Sequence, residues 1–314
     1  MSNSAIAASG LRKAYRDKIV LGGIDLDVRP GTVFSLLGPN GAGKTTTVNV
    51  LTTLTKADGG TARVAGHDVT TETQAVRSVI GVTGQFAAVD ELLTGQENLQ
   101  MMADLKRLGS GEGGRIVREL LERFDLAESA QKLVTTYSGG MRRKLDLAMT
   151  LVGNPQIIFL DEPTTGLDPR SRRTMWNIIR ELVADGVTIF LTTQYLEEAD
   201  QLADRIAVLD QGRLVAQGAP GDLKRQIPGS HVRLRFTDTL ELDAAARVLA
   251  GSTRDGENLT LRVPSDGGAK SLRALLNELD EHSIDAEEFS VHTPDLDDVF
   301  LALTGRTSEE VNTQ

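Results

Sequence analysis

Cysteine is absent from the 314-residue sequence, and aromatic residues make up only 4% of it. No apolar run approaches the length of about 18 residues that a membrane-spanning helix needs. The lack of cysteine excludes disulfide bonds and thiolate chemistry. The N-terminal residues also lack the apolar segment of a signal peptide. From the sequence we therefore predict a chain that does not itself span a membrane.

Basic residues are fewer than acidic residues. The sequence has 34 lysines and arginines against 44 aspartates and glutamates, which gives a formal net charge of −10 at pH 7. Proteins that bind a nucleic acid backbone carry basic surfaces, so no nucleic acid partner is expected. The length is sufficient for a full hydrophobic core and indicates one large domain with a smaller one.

The most informative segment is GPNGAGKT, which stands between the apolar run 33–37 and a helix-compatible stretch at 46–54. Such a loop binds phosphate because its glycines let the backbone approach closely and its N–H groups, with the start of the next helix, attract anionic oxygens. Lys44 is predicted to reach the β- and γ-phosphates, and the Thr45 hydroxyl to help hold Mg²⁺. The predicted nucleotide-binding residues of this loop are Gly38, Pro39, Asn40, Gly41, Ala42, Gly43, Lys44, Thr45 and Thr46.

Three further apolar runs end in polar residues, which are Gln85, Asp161 with Glu162, and Gln194. In open parallel α/β sheets, ligands bind beyond the carboxyl ends of the strands. We therefore expect these side chains and the GPNGAGKT loop to converge on one nucleotide.

The acidic pair at 161–162 fits phosphoryl transfer, which needs Mg²⁺ ligands and a group that orients or deprotonates water. Asp161 is predicted to hold Mg²⁺ through its water shell. Glu162, one residue further on, is predicted to face the γ-phosphate as the general base. The alternative is a solvated surface turn, which we disfavour because two adjacent acids after a buried strand rarely serve packing.

Other positions admit two interpretations. Asp168 precedes a proline and is explained as a helix N-cap, and we also predict a role for it at the nucleotide site. Tyr15 lies upstream of the loop's strand and either packs in a strand or stacks on a base; the residues alone leave both open. The basic clusters 142–144 and 170–173 fall on predicted helices whose opposite faces are apolar. Solvated helix faces are therefore predicted rather than a nucleic acid site.

The order of the predicted elements indicates an α/β fold. Residues 4–30 are predicted to form an antiparallel sheet. A helix with a capping box is predicted over 94–108, a break over 109–114 and a resumed helix over 115–124.

The sequence pattern changes around residues 220–230. We predict a large domain over 1–225, in which residues 86–153 form a helical subdomain. A small, separate α/β domain is predicted over 230–305 and a flexible polar tail over 306–314. Because the small domain contains none of the phosphate-handling groups, it is predicted to be regulatory or dimer-stabilising.

Together these motifs resemble the ATP-binding cassette of ABC transporters. The matching segments are GPNGAGKT as Walker A, Gln85 as the Q-loop, YSGGM as the signature, IIFLDE as Walker B and GLDP as the D-loop, within roughly residues 4–222. The resemblance implies an α/β P-loop NTPase with a mostly parallel core sheet, an N-terminal antiparallel β subdomain and a helical subdomain. It implies ATP and Mg²⁺ as cofactors, with Tyr15 stacking on the adenine and Gln85 acting in catalysis and as a Mg²⁺ ligand.

The segment YSGGM places two glycines at a predicted helix start, which suits an anion. The resemblance implies a head-to-tail dimer with a second copy of the chain. In that dimer Ser138, Gly139 and Gly140 of one subunit close over the nucleotide that the P-loop of the other subunit holds. Such a two-fold contact builds two equivalent sites.

Within the family, segments such as TYSGGMRRKLDLA and DVFLALTG resemble the daunorubicin/doxorubicin-resistance ATP-binding subfamily. This implies ATP hydrolysis that drives export of a drug-like or lipid-like substrate through a separate transmembrane permease. It also implies a peripheral location on the cytoplasmic side of the cell membrane. The general family pattern has a histidine where this sequence has Gln194, which is predicted to sense and position the γ-phosphate. The alternative is that Gln194 only begins the helix predicted over 195–203 and points to solvent.

Two other classes of function are weighed against this reading. ABC ATPases that act on ribosomes or DNA usually carry two cassettes or a coiled-coil insertion, whereas this chain has one cassette, no heptad run and an acidic composition. A binding module with an inactive site is disfavoured because Lys44, Asp161 and Glu162 are all present.

Overall fold

The computed structural model describes residues 4–85, 87–226, 230–266, 268–292 and 294–305. The chain divides into two compact units, and the division falls between Pro220 and Gly221. The predicted tail, 306–314, lies outside the described residues, and so does the segment 227–229 between the two predicted domains.

The first unit contains two sheets and the helices that pack on them. Its strands are β1 (Ile6–Tyr15), β2 (Lys18–Val28), β3 (Val33–Leu37), β4 (Gly59–Val64), β5 (His67–Asp68), β6 (Ile80–Thr83), β7 (Ile157–Asp161), β8 (Thr188–Thr193), β9 (Arg205–Asp210) and β10 (Arg213–Gly218). Its helices are α1 (Lys44–Leu51), α2 (Thr73–Val79), α3 (Gly95–Leu105), α4 (Ser110–Arg123), α5 (Gly139–Leu151), α6 (Pro169–Ala184) and α7 (Leu196–Leu202). Helix α8 (Pro220–Gln226) begins at the division. Within the described ranges, no helix combines the length and the apolar character needed to cross a membrane.

The core sheet of the first unit has the strand order β10-β9-β3-β8-β7-β6. Its strands run parallel except β10, which is antiparallel to β9. Every residue of β3, β7 and β8 is buried, which is typical of strands covered on both faces. On one face Phe190 packs between Phe34 and Phe159, with ring centroids 5.5 and 5.4 Å apart. The predicted mostly parallel core sheet is confirmed.

The second sheet of this unit has the order β2-β1-β4-β5 and is antiparallel throughout. The antiparallel sheet predicted near the N-terminus is therefore confirmed. Strand β2 continues without interruption through Gly22 and Gly23. Gly23 has a φ of 101° and is the extra residue of a bulge, because Leu11 pairs with Ile24 and Arg12 with Gly22.

Helices α3 and α4 form a packed pair in the helical part of this unit. The Thr94 capping box is confirmed: Glu97 N donates to Thr94 Oγ1 at 3.2 Å, and Thr94 N donates to Glu97 Oε2 at 2.8 Å. The predicted break between two helices is present, but it lies at 106–109 rather than over 109–114, since α3 ends at Leu105 and α4 begins at Ser110. A Cβ on Gly113 would lie 3.2 Å from Ala103 Cβ, so a glycine at this position lets α4 approach α3 closely. This packing offsets the poor helix propensity of Gly113, which costs about 1 kcal/mol relative to alanine.

The second unit is a small α/β fold of its own. Its elements are β11 (His231–Arg235), α9 (Thr239–Val248), β12 (Thr253–Asp255), β13 (Thr260–Pro264), α10 (Ala269–Glu281), β14 (Glu288–His292) and α11 (Leu296–Thr304). The strands form an antiparallel sheet in the order β12-β13-β11-β14. Its core contains Val232 and Leu234 from the sheet and Leu242, Leu275 and Leu279 from α9 and α10.

Candidate functional site

The GPNGAGKT loop joins the end of β3 to the start of α1. Gly38 N donates to Thr193 O at 3.2 Å, which ties the loop to the end of β8. A Cβ on Gly38 would lie 2.2 Å from Leu209 O. Gly43 has a φ of 113°, and a Cβ there would lie 2.9 Å from Val20 O. Only glycine fits at these two positions, because the loop is enclosed by neighbouring backbone.

Lys44 and Glu162 form a buried ion pair beside this loop. Lys44 is 5% exposed, and its Nζ donates to Gly38 O at 2.7 Å and to Pro39 O at 3.2 Å. Glu162 Oε1 lies 3.2 Å from Lys44 Nζ. Burial lowers the pKa of Lys44, and the nearby carboxylate of Glu162 acts in the opposite direction. The Lys44 ammonium and the Glu162 carboxylate are thus held next to each other beside the loop.

A cavity of about 440 Å³ lies against the loop, within the range of about 300–1,000 Å³ that is usual for ligand sites. Its lining residues are Tyr15, Lys18, Val20, Asn40, Gly41, Gly43, Lys44, Thr45, Thr46, Gln85 and Glu162. They come from the end of β1, from β2, from the loop with the start of α1, and from the ends of β6 and β7. Tyr15 is 47% exposed, with Lys13 Nζ 5.3 Å from the centre of its ring. The structure therefore brings most of the predicted loop residues together with Tyr15, Gln85 and Glu162.

Asp161 lies behind the cavity wall rather than in it. It is 3% exposed, and Thr192 Oγ1 donates a hydrogen bond to its Oδ1. Thr192 also accepts from Glu162 N, at 3.1 Å through both its carbonyl and its hydroxyl oxygen. Sequence reasoning did not single out Thr192, and the signal for it is the pairing of β7 with β8, which sets Asp161 opposite Thr192. Strand β8 thus holds the acidic pair in place.

Arg143 corrects the prediction of solvated helix faces for the cluster 142–144. It is only 7% exposed, whereas its two neighbours are half-buried. Its guanidinium donates to Gly84 O at 2.7 Å and to Pro163 O at 3.0 Å, and it lies 3.3 Å from Asp146 Oδ2. The prediction was wrong at this position because α5 packs against the loop after β6 and the turn after β7, so this side of the helix does not face solvent.

Gln194 does not line the cavity, although it follows β8 directly. The residue is half-buried, and its amide oxygen is buried without a hydrogen-bond partner among the described residues. It precedes α7, which begins at Leu196 with Tyr195 as its N-cap. The Gln194 side chain is therefore only partly solvated, and within the described part of the chain no donor reaches its amide oxygen.

The signature segment and Asp168 also lie outside the cavity lining. Ser138 is the exposed N-cap of α5 and accepts from Met141 N at 3.2 Å. Asp168 is confirmed as the N-cap of α6, and hydrogen bonds from the Ser171 hydroxyl and backbone lower its pKa. A Cβ on Gly140 would lie 2.6 Å from Ser171 Oγ, so close packing of the helix ends accounts for a glycine there. Gly139 is exposed, with nothing within 4 Å of such a Cβ.

Glu198 is a buried acid that sequence reasoning missed, because an acid on a short polar helix is usually solvated. It lies in α7 and is fully buried. Its Oε1 accepts from Thr164 Oγ1 at 2.8 Å and from Trp176 Nε1 at 3.1 Å, while its Oε2 has no partner in the described part of the chain. Burial raises the pKa of Glu198 above its ordinary value of 4.5.

The raised pKa of Glu198 predicts a pH-dependent stability. A carboxyl whose pKa is higher in the folded than in the unfolded state contributes stability that is full below the unfolded value and is lost as the pH rises through the folded value. Glu198→Gln keeps an oxygen acceptor and cannot ionise. We therefore expect its Tm to rise relative to that of the parent as the pH goes from 5 to 8, in thermal unfolding experiments. Glu197→Gln, at an exposed neighbour, is the control; a Tm difference for Glu198→Gln that did not vary with pH would contradict the prediction.

Comparison with known proteins identifies the family of the chain. A family model described as ABC transporter matches residues 21–165. The chain is 48% identical over 315 residues to the daunorubicin/doxorubicin resistance ATP-binding protein DrrA of Streptomyces peucetius, covering 99% of this chain and 95% of that protein. It is 36% identical over 307 residues to the Nod factor export ATP-binding protein I of Ralstonia nicotianae, covering 97% and 95%. The dimeric, post-hydrolysis ATP-binding cassette MJ0796 bound to ADP and Pi matches with a TM-score of 0.63 at 25% identity, covering 68% of this chain and 98% of that one. The chain therefore belongs to the ATP-hydrolysing subunits of ABC transporters, in the subfamily of the daunorubicin/doxorubicin-resistance ATP-binding proteins.

Proposed function

We propose that this ATPase powers the export of a drug-like or lipid-like substrate through a separate transmembrane permease. The observation that carries the catalytic part is the cavity in which Lys44, Gln85 and Glu162 meet. Export is supported by the similarity to proteins named for daunorubicin/doxorubicin resistance and for Nod factor export. No comparable observation favours action on ribosomes or DNA, and the net charge of −10 opposes it.

The donor set at the cavity suits ATP with Mg²⁺. Gly41 and Gly43 have positive φ values, which turn loop N–H groups toward an anion. Mg²⁺ is usually bound by one or two carboxylates together with substrate phosphates, and Thr45, Gln85 and Asp161 would supply such a set here. Because Asp161 is buried and accepts from Thr192, it would act through a water molecule. When bound, Mg²⁺ neutralises charge on the phosphate oxygens.

Hydrolysis follows from the two charged side chains at the cavity wall. The Lys44 ammonium would bind β- and γ-phosphate oxygens in place of its present backbone acceptors. The Glu162 carboxylate would accept the proton of the water that attacks the γ-phosphorus, as a general base. Tyr15 would stack its exposed ring on the adenine, a contact worth about 1–3 kcal/mol. Each assignment uses an atom that lines the same cavity.

A second copy of the chain would complete each site. Ser138, Gly139 and Gly140 do not line the cavity, so within one chain they have no place at the nucleotide. Ser138 and Gly139 are exposed at the start of α5, where helix N–H groups favour an anion. In a head-to-tail dimer they would close over the nucleotide held by the partner's P-loop, with Asp168 at the same interface.

The permease would dock beside the segment 85–97 and hold the chain at the cytoplasmic side of the membrane. Two exposed leucines lie on neighbouring backbones there: Leu92 is 82% exposed and Leu133 is 48% exposed. The segments are joined by Val134 N, which donates to Leu93 O at 3.0 Å. In this proposal the two leucines supply the apolar part of the contact with the permease.

Replacing Leu92 by aspartate is expected to reduce the amount of chain recovered with membranes at least several-fold, because a charge would have to be buried at the contact. The measurement is immunoblotting of washed membranes from cells of the native host. Leu105→Asp, at the other end of α3 and 70% exposed, is the matched control and should be recovered like the parent. Equal recovery of both variants would place the permease contact elsewhere.

The export proposal is tested in cells that lack this chain. Retention of two fluorescent probes, daunorubicin and a labelled phospholipid, is measured before and after complementation with the parent or with Glu162→Gln. The parent should lower the retention of at least one probe, and the variant should not. Identical retention in all three strains, together with copurification of ribosomes rather than of a polytopic membrane protein, would favour the other class of function.

A further inference from the structure

One buried arginine connects two separate segments of the ATPase site. Arg143 Nη1 donates to Gly84 O at 2.7 Å, in the loop after β6. Its Nη2 donates to Asp161 O at 3.1 Å and to Glu162 O at 3.4 Å, and its Nε donates to Pro163 O at 3.0 Å. A single rigid guanidinium thus holds three consecutive carbonyls, the last one of β7 and two of the turn after it, together with one carbonyl of the loop after β6.

Asp146, one turn further along α5, completes this arrangement. Its Oδ2 lies 3.3 Å from Arg143 Nη1, and its Oδ1 accepts from Ala88 N at 3.0 Å. Asp146 is 3% exposed, so both members of the pair are buried. Because Arg143 holds Gly84 and Asp146 holds Ala88, the pair fastens both sides of the loop that contains Gln85. Buried charges are tolerated when they are paired and hydrogen-bonded in this way.

The turn that Arg143 holds is conformationally unusual. Glu162 has a φ of 50°, in the left-handed region, which is strained for a non-glycine residue and persists only where the surroundings hold it. The direction of the Glu162 side chain follows from this backbone. Since a displacement of about 1 Å at a catalytic group can cost as much as about a hundredfold in rate, the carbonyl contacts of Arg143 bear directly on the reaction.

We propose that the Arg143–Asp146 pair is a positioning element that holds the Glu162 carboxylate and the Gln85 loop in one geometry. Arg143 acts through the backbone of the turn and does not itself touch the nucleotide. Because the Arg143–Asp146 pair contacts both segments, a movement of the loop that contains Gln85 would also move the turn that carries Glu162. This inference rests on the assignment of Glu162 as the general base.

Arg143→Lys is the direct test, because an ammonium keeps the charge but cannot span four carbonyls in two segments. We expect kcat for ATP hydrolysis to fall about tenfold, with the Kd for ATP within about twofold of the parent. Backbone hydrogen exchange should rise in peptides covering 80–90 and 157–168. Arg142→Lys is the control: that residue also donates to two backbone carbonyls, those of Val134 and Thr135, and it should change none of these quantities.

A double-mutant cycle separates positioning from general destabilisation. If Arg143 acts through Glu162, the effect of Arg143→Lys on kcat should disappear in a Glu162→Gln background. An undiminished, multiplicative loss in that background would overturn the proposal, and so would a parent-like kcat in Arg143→Lys. Failure of the general-base assignment is distinguishable, because Glu162→Gln alone would then hydrolyse ATP like the parent.

A second variant is needed in case Arg143→Lys does not fold: it weakens the pairing of Asp146, and an unpaired buried carboxylate is costly. Arg143→Gln combined with Asp146→Asn replaces the ion pair by two neutral amides and leaves no unpaired charge. It should give a cooperative thermal transition, bind ATP like the parent and show the same fall in kcat of about tenfold. A folded double variant with parental kcat overturns the proposal. If neither variant folds, the pair serves the fold alone and the proposal is equally overturned.

Discussion

Glu162→Gln is expected to lower kcat for ATP hydrolysis by about 10²–10⁴-fold while leaving the affinity for ATP nearly unchanged. Glutamine has nearly the same shape, and its amide cannot accept a proton from the attacking water. The Lys44 ammonium, which now lies 3.2 Å from Glu162 Oε1, remains available for the phosphates. The effect should therefore fall on the chemical step, and steady-state hydrolysis with equilibrium ATP binding measures both quantities.

Glu162→Gln also tests the predicted dimer. With hydrolysis blocked, ATP should remain bound, and light scattering should detect a nucleotide-dependent dimer at protein concentrations where the parent is largely monomeric. Glu181→Gln, at an exposed position of α6, is the control and should hydrolyse ATP like the parent. A Glu162→Gln protein that retained hydrolysis near the parental rate would exclude Glu162 as the general base.

Gln194→Ala has the second largest expected effect, a loss of about ten- to a hundredfold in kcat, or about 1.4–2.8 kcal/mol of transition-state stabilisation. The buried amide oxygen of Gln194 has no partner among the described residues, and its amide nitrogen can donate to a phosphate oxygen. Its half-buried position just after β8 suits a contact that forms with the nucleotide in place. ATP affinity should change little.

A histidine at position 194 provides the informative comparison. Gln194→His should retain much of the activity, because imidazole can also donate to the γ-phosphate. It should introduce a pH dependence near the ordinary imidazole pKa of about 6.5, which an amide cannot show. Hydrolysis rates of the parent and of both variants between pH 6 and 9 measure this difference. An alanine variant as active as the parent would mean that Gln194 makes no contact with the γ-phosphate.

The residues whose placement was predictable from the sequence are those that belong to a local pattern. The position of Glu162 at a strand end was predictable because the short, wholly apolar run before it ends in two acids. A wholly apolar run of this length is typical of a buried parallel strand. The loop from Gly38 to Thr46 was found because glycine spacing and a following helix define a phosphate cradle. The N-cap at Asp168 required only the proline after it.

The residues that were missed depend on contacts between distant segments. Arg143 lies in a basic cluster that is typical of a solvated helix face. It is buried because α5 packs against two segments, which lie 18 and 59 residues away in the chain. Glu198 is buried because Trp176 and Thr164 supply donors to it, which no window of sequence around α7 reveals. The break predicted over 109–114 was misplaced because Gly113 packs against Ala103 of α3, and this contact is equally non-local.

The backbone that encloses the P-loop has a consequence for the order of folding. Gly212 N donates to Ala42 O at 3.1 Å, and Gly22 N donates to Gly212 O at 2.8 Å. The turn between β9 and β10 is therefore hydrogen-bonded both to the phosphate loop and to strand β2 of the N-terminal sheet. During synthesis the loop is translated long before this turn, and domains generally assemble only once their distant parts are available. The backbone that surrounds the P-loop is complete only when Gly212 is in place, so we expect the nascent chain to acquire its full phosphate cradle after Gly212 has left the ribosome.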